Sequence, residues 1–233
     1  MIVVVGSPIA EPIGHGIRAG GLGADIARRS TAAGSAVQIV GRVGEDAAGD
    51  QVLLSLAAEG IGHVAVLREP GRPTPAAAPI AGASASPDGP ALGEELLGDA
   101  DVPDADAANA GEVGAGGEPP GLSVDAADLE LALRYVPDYR VLVVEADLDA
   151  SALDAVVAAA TWSGAHIVAL MPDGSTTTTL PDNATALLRP ADDPDGAFAA
   201  MVAGYAVALD RGDEPRSAFA VAQRAGGWAA VAE

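Results

Sequence analysis

The sequence predicts an α/β protein whose central sheet is mostly parallel and covered by helices. Three observations carry that prediction. Short, wholly apolar runs alternate with longer Ala- and Leu-rich stretches along most of the 233 residues. Strands buried on both faces read as continuous apolar runs, and the intervening helices supply the crossovers that parallel pairing needs. Hydrophobic residues make up 49% of the chain, enough to build a sizeable core at this length.

Taken in order, Ile2 to Val5 is a buried strand. The chain turns to Gly, Ser and Pro directly after it and has no charged amino-terminal flank, so it is not expected to be a signal peptide. Leu22 to Ala33 reads as a helix, Val37 to Val40 as a strand, Ala47 to Glu59 as a helix ending at Gly60, and Val64 to Leu67 as a strand. After a gap the rhythm resumes with a helix over Val124 to Arg134 and a strand over Val141 to Glu145. A helix over Ala150 to Trp162, stopped by Gly164, then leads to a strand over Ile167 to Leu170. Helices over Pro194 to Leu209 and Pro215 to Val231 finish the chain, with Met201, Val202 and Tyr205 at core spacing. Trp162 and Trp228 read as core or interface anchors. Thr176 to Thr179 is a polar turn to which no mechanism attaches.

The gap has its own composition. From Pro73 to Leu133 there is no basic residue, whereas twelve acids fall there. Its middle, 84–121, is rich in Gly, Ala, Pro and Asp without any period, so it lacks the apolar surface that would offset ordering entropy. It is expected to be a flexible acidic insertion in a single domain spanning 1–233, or else a partner-binding segment.

Charge removes several function classes. Twelve basic against thirty-three acidic residues give a net charge of −21, so no basic patch for nucleic acid can be assembled. All twelve basic residues are arginine, which excludes Schiff-base and other lysine chemistry. Coding bias in a GC-rich genome and adaptation to high salt both account for this composition. Without cysteine there is no disulfide, thiolate site or thiol nucleophile, and His15, His63 and His166 have no metal-ligand spacing, so no metal site is expected. No apolar run reaches the ~18 residues of a membrane span. A cytoplasmic protein with neither membrane nor nucleic-acid partners is expected.

Three stretches carry chemistry. Gly20-Gly21-Leu22-Gly23-Ala24-Asp25 opens a helix, where glycines admit a close ligand and Asp25 could accept from hydroxyls; a tight turn for helix packing explains the same glycines. Gly41-Arg42-Val43-Gly44-Glu45-Asp46 follows a strand, continues as Ala47-Ala48-Gly49, and precedes Pro73-Thr74-Pro75. Near the carboxyl end stands Asp193-Pro194-Asp195-Gly196-Ala197-Phe198-Ala199, continued by Ala200 to Tyr205 and Leu209-Asp210-Arg211-Gly212.

In this order and spacing the motifs resemble those of the ribokinase-like (PfkB) carbohydrate kinases, over roughly residues 1–75 and 122–233. The resemblance implies a three-layer fold with a lid over the cleft, a Gly-Gly sugar site, a V-G-x-D-x-x-G stretch and the signature D-T-x-G-A-G-D-x-F-x-x-G-F. It places Glu11 at a substrate-binding aspartate, Gly20 and Gly21 at the sugar glycines, Asp25 at an asparagine, and Asp147 near an acid that ends a later strand. Carboxylates suit polyol hydroxyls, though such acids are also ordinary loop residues in a chain this acidic.

Departures from the pattern bear on activity. The general base of the signature is replaced by Ala199, which cannot accept a proton, and Phe198 replaces the glycine that closes the anion hole, leaving Gly196 and Ala197 as its remnant. Asp193 is expected to cap the helix with Pro194 in its first turn, and Asp192, Asp193 and Asp195 crowd an end that should attract phosphate, with no arginine nearby to offset them. The strands and nucleotide-pocket motifs that the family carries between Leu170 and Asp193 are missing, and Gly6 to Gly20 and Thr74 to Ala83 suggest a lid that is reduced or absent. The expectation is a pseudokinase that binds a small polar ligand such as a sugar or nucleoside, or that serves a structural or regulatory role, without a cofactor. A second copy of the chain is a candidate partner. The competing expectation is an active Mg-ATP-dependent carbohydrate or nucleoside kinase in which Asp193 or Asp195 replaces the base.

Overall fold

The computed structural model describes residues 1–77, 121–136, 138–145, 147–172, 180–191 and 193–225. The acidic insertion at 84–121 lies outside them except for Gly121, as do Asp192, Thr176 to Thr179 and Trp228.

Six strands form one parallel sheet: β1 (Ile2–Val5), β4 (Val37–Gly44), β5 (Gly62–Glu69), β6 (Val141–Val144), β7 (His166–Pro172) and β8 (Ala184–Arg189), in the order β5-β4-β1-β6-β7-β8. Successive side chains of a strand face opposite sides, so β1 splits its four apolar residues between two cores. Ile2 and Val4 pack with helices α1 (Leu22–Ala32), α2 (Ala47–Ala58), α5 (Ala197–Arg211) and α6 (Pro215–Ala225). Val3 and Val5 pack with α3 (Ala126–Tyr135) and α4 (Ala150–Ser163). The result is the expected three-layer α/β arrangement, with four helices on one face of the sheet and two on the other among the described residues.

Local chemistry explains where the helices begin. Asp46, Asp125 and Asp149 each precede a helix and accept from the backbone N–H three residues on, at Gly49, Asp128 and Ala152. Those bonds satisfy donors that the first turn leaves without partners. Arg42 on β4 reaches Asp125 at 3.2 Å, Asp128, and Glu69 at 3.6 Å, tying the start of α3 to the sheet.

Four expectations are corrected. β2 (Ile9–Ile13) and β3 (Gly16–Gly20) form an antiparallel hairpin where no strands were expected. Pro12 and three glycines obscured its alternation, but packing against α2 and α1 holds it in place. Ala76, which bridges to Ala10, extends the hairpin on its other side. β8 was also missed; it is a half-exposed edge strand whose Ala-Thr-Ala start has little strand character. α5 begins at Ala197, not Pro194, because 193–196 is a turn closed by Gly196 at φ 63°. Trp162 is 90% exposed and therefore no part of the core. Met201, Val202 and Tyr205 are buried as expected.

Candidate functional site

The strand order locates a cleft independently of any motif. From β1 the chain steps outward to β4 and β5 through α1 and α2 on one face, while α4 crosses from β6 to β7 on the other. Open α/β sheets bind ligands at such a reversal, beyond the carboxyl ends of the strands. Here the reversal lies between β1 and β6, where Gly6 and Glu145 are the first residues past the strands.

Glu145 dominates this position. Its N–H donates to Val5 O at 2.9 Å, and a Cβ on Gly6 would collide with its Oε2, so the glycine makes room for the carboxylate. The same oxygen would lie 3.4 Å from a Cβ on Gly23, in the first turn of α1. Arg189, ending β8, donates from Nη1 to Glu145 Oε1 at 3.1 Å. The sequence marks Glu145 as the last residue of the strand expected over Val141 to Glu145 and not as a site residue; the available signal is that it is the first polar residue after that apolar run. Asp147, the acid proposed near that strand end, is exposed in the loop two residues further on.

Glu11, Gly20, Gly21 and Asp25 do come together, around the junction of the hairpin with α1. Glu11 and Arg18 face each other across the hairpin and bond at 2.5 and 3.0 Å. The Glu11 contact raises the Arg18 pKa further. A Cβ on Gly20 would approach Glu11 Cβ to 2.7 Å, and Gly21 starts α1 at φ 99°, where L side chains are strained. Asp25 pairs with Arg28, which also bonds Glu59 and Ala19 O, each at 2.6 Å. The candidate acids are thus held by arginines rather than simply solvated.

The Gly44-to-Gly49 motif performs a structural task. Asp46 accepts from Thr74 Oγ1 at 2.6 Å, Thr74 N at 2.8 Å and Gly49 N at 2.8 Å, while Gly44 N donates to Thr74 Oγ1 at 2.9 Å. The bond from the Thr74 hydroxyl is the main reason that the Asp46 carboxyl is held below its usual pKa. Gly44 has no room for a Cβ, which would sit 2.5 Å from Thr74 N and 2.7 Å from Pro73 C. Ser7 closes the neighbouring corner, donating to Leu122 O at 2.5 Å and accepting from Arg42 N at 2.8 Å.

At the start of α5 the arrangement differs. Asp193 accepts from Phe198 N at 3.0 Å and from Ala199 N at 2.8 Å, one bond to each carboxylate oxygen. It therefore caps the helix from outside the turn, with Gly196 and Ala197 between. Phe198 and Ala199 are each 1% exposed and lie in the core. Asp195 is exposed. An arginine does lie here, contrary to expectation: the Arg29 guanidinium of α1 occupies the space that a Cβ on Gly196 would need. It is remote in sequence, and only the packing of α1 on α5 brings it in.

At the amino-terminal end of β7 and β8, Thr185 Oγ1 lies 2.9 Å from both His166 Nε2 and Tyr205 OH. Burial pushes the His166 pKa down and the Tyr205 pKa up. Among the described residues no cluster of three or more His, Asp or Glu could hold a metal ion, and no helix is long and apolar enough to cross a membrane.

No protein-family model and no curated protein matches the chain. Solved structures do match. A protein assigned as ribokinase II from E. coli superposes with a TM-score of 0.59 at 13% identity, covering 100% of this chain and 93% of that one. The ribokinase of Arabidopsis thaliana, solved with ribose and ATP, gives 0.54 at 16% identity, with 97% and 90% covered. A PfkB protein from Polaromonas gives 0.56 at 16% identity, with 98% and 95% covered. With its parallel six-stranded sheet covered on both faces, this chain has the ribokinase-like α/β fold shared by those carbohydrate kinases.

Proposed function

We propose that this chain uses a sugar-kinase fold to bind a small polyol, a sugar or a nucleoside, and does not transfer phosphoryl groups. The observation that carries the reading is the start of α5, where Phe198 and Ala199 stand at the positions that the family's signature gives to glycine and to the general base, and both are buried in the core. By the resemblance, those positions belong to the turn that closes round the transferred phosphoryl, and a bulky Phe198 takes the place of the glycine that lets the backbone close there. The residue in the base position, Ala199, is a buried alanine with nothing to accept a proton. Asp193 is no substitute base while both of its oxygens are committed to the cap. On these grounds the residues present do not fit Mg-ATP at this end. The carboxyl ends of β1 and β6 offer Glu145 beside Gly6, and the start of α1 offers Glu11 and Asp25 beside Gly20 and Gly21, carboxylates suited to hydroxyl groups near the reversal of strand order.

A thermal-shift screen against Mg-ATP, Mg-ADP, sugars and nucleosides, at low and high salt, tests this directly, since a ligand stabilises the fold as its concentration exceeds its dissociation constant. Sugars or nucleosides are expected to raise the melting temperature and the nucleotides to leave it unchanged. A shift with Mg-ATP that is accompanied by sugar-dependent ATP consumption would establish an active kinase instead. Silence across the panel would point to a structural or regulatory role. The double variant Phe198→Gly, Ala199→Asp is expected to gain no turnover, because the nucleotide-pocket motifs that the family carries between Leu170 and Asp193 remain missing.

A further inference from the structure

Resting on the polyol-binding reading, the geometry of one ion pair points to the chemical class of the ligand. Neighbouring strands lie about 4.8 Å apart, so β6 and β8, separated by β7, are about 9.6 Å apart. The Arg189–Glu145 pair therefore spans the carboxyl-terminal part of β7 and brings the guanidinium up to Glu145, which stands at the reversal of strand order. The two side chains are 30% and 19% exposed, which leaves them shielded but within reach of a ligand. Only Nη1 of the guanidinium bonds Glu145, at 3.1 Å and through a single oxygen. A guanidinium offers five donors in a fork that matches two oxygens at once, so this contact uses little of what Arg189 can provide.

We propose that the cleft selects an anionic polyol, with Arg189 as the residue that reads the anionic group. The acid of the ligand takes the fork in the two-oxygen geometry that Glu145 does not use. Glu145, released from the arginine, then accepts from the ligand's hydroxyls. A neutral sugar gains less, because it must compete with Glu145 for Arg189 without a charge of its own. The net charge of −21 opposes any anion at long range, but at about 0.15 M salt this field fades within about 8 Å, whereas the guanidinium acts at contact. A carboxylate and a phosphate share this chemistry.

Isothermal titration calorimetry of the full chain at fixed ionic strength separates the cases. The probes are D-ribose, D-ribonate and D-ribose 5-phosphate, with D-glucose, D-gluconate and D-glucose 6-phosphate as the six-carbon set. An anionic member is expected to bind about tenfold or more tighter than its neutral parent. Arg189→Gln is expected to abolish that preference, so that the anionic and neutral members of each set bind within about twofold of each other, and Arg189→Lys to retain part of it. The acid and phosphate arms show which anion is preferred. Equal or tighter binding of the neutral sugars, or a preference that survives Arg189→Gln in a variant with unchanged circular dichroism, would overturn the proposal and leave the polyol cleft standing. Absence of binding by all six probes would overturn both.

Discussion

The two motif regions of this chain have met opposite fates. Between Gly41 and Gly49 the residues of the pattern are kept, and the structure shows a packing reason for each: Gly44 lies against the backbone of 72–74, and Asp46 joins α2 to Thr74. Between Asp193 and Ala199 the pattern is broken at Phe198 and Ala199, which have entered the core, and Asp193 caps the helix start from across the turn. A retained motif that latches the fold together carries no information about catalysis. The region whose residues the fold does not demand is the one that reports on chemistry.

Three experiments break or sharpen that comparison. The largest effect is expected from Gly44→Ala, because the new methyl meets backbone atoms rather than a flexible side chain; a loss of about 3 kcal/mol is expected in urea unfolding. A loss below about 1 kcal/mol would show that the latch yields and that packing does not explain the motif. Next, Asp193→Ala removes both cap bonds and should cost about 1–2 kcal/mol. It should also expose the Phe198 and Ala199 N–H groups, so inorganic phosphate is expected to raise the melting temperature of the variant more than that of the parent. No added response to phosphate would mean that the start of α5 does not take an anion even when vacated.

The smallest effect concerns the amino-terminal end of β7 and β8. Burial depresses the His166 pKa below its ordinary 6.5, so the folded chain binds fewer protons there than the unfolded chain. The stability this contributes is complete above about pH 6.5 and is lost as the pH falls through the depressed value. His166→Gln is expected to flatten the fall in stability below pH 6.5 without altering the response to ligands. A change in ligand response would show that the two ends of β7 and β8 are coupled.

Legibility followed burial and locality. The strands β1 and β6 could be read directly because both of their faces are covered and every residue is apolar. The edge strand β8 and the hairpin β2–β3 could not, since their stability comes from neighbours distant in sequence. Within the site, Gly20, Gly21 and the broken signature were visible as local patterns, and so was the capping role of Asp193, although not its geometry. Glu145 and Arg189 were not, for they stand 44 positions apart and meet only across β7. Arg29 was missed for the same reason: it lies at the start of α5 only because α1 packs there.

The sequence by itself determined the class of fold, the absence of lysine and cysteine chemistry, and the loss of an acid at Ala199, because each depends on composition or on patterns within a few residues. Only the tertiary structure decided which carboxylates face the cleft, which arginines hold them, and that Asp193 fills the turn at α5. Those facts depend on strand order and helix packing, which bring together side chains whose separation along the chain gives no sign of contact.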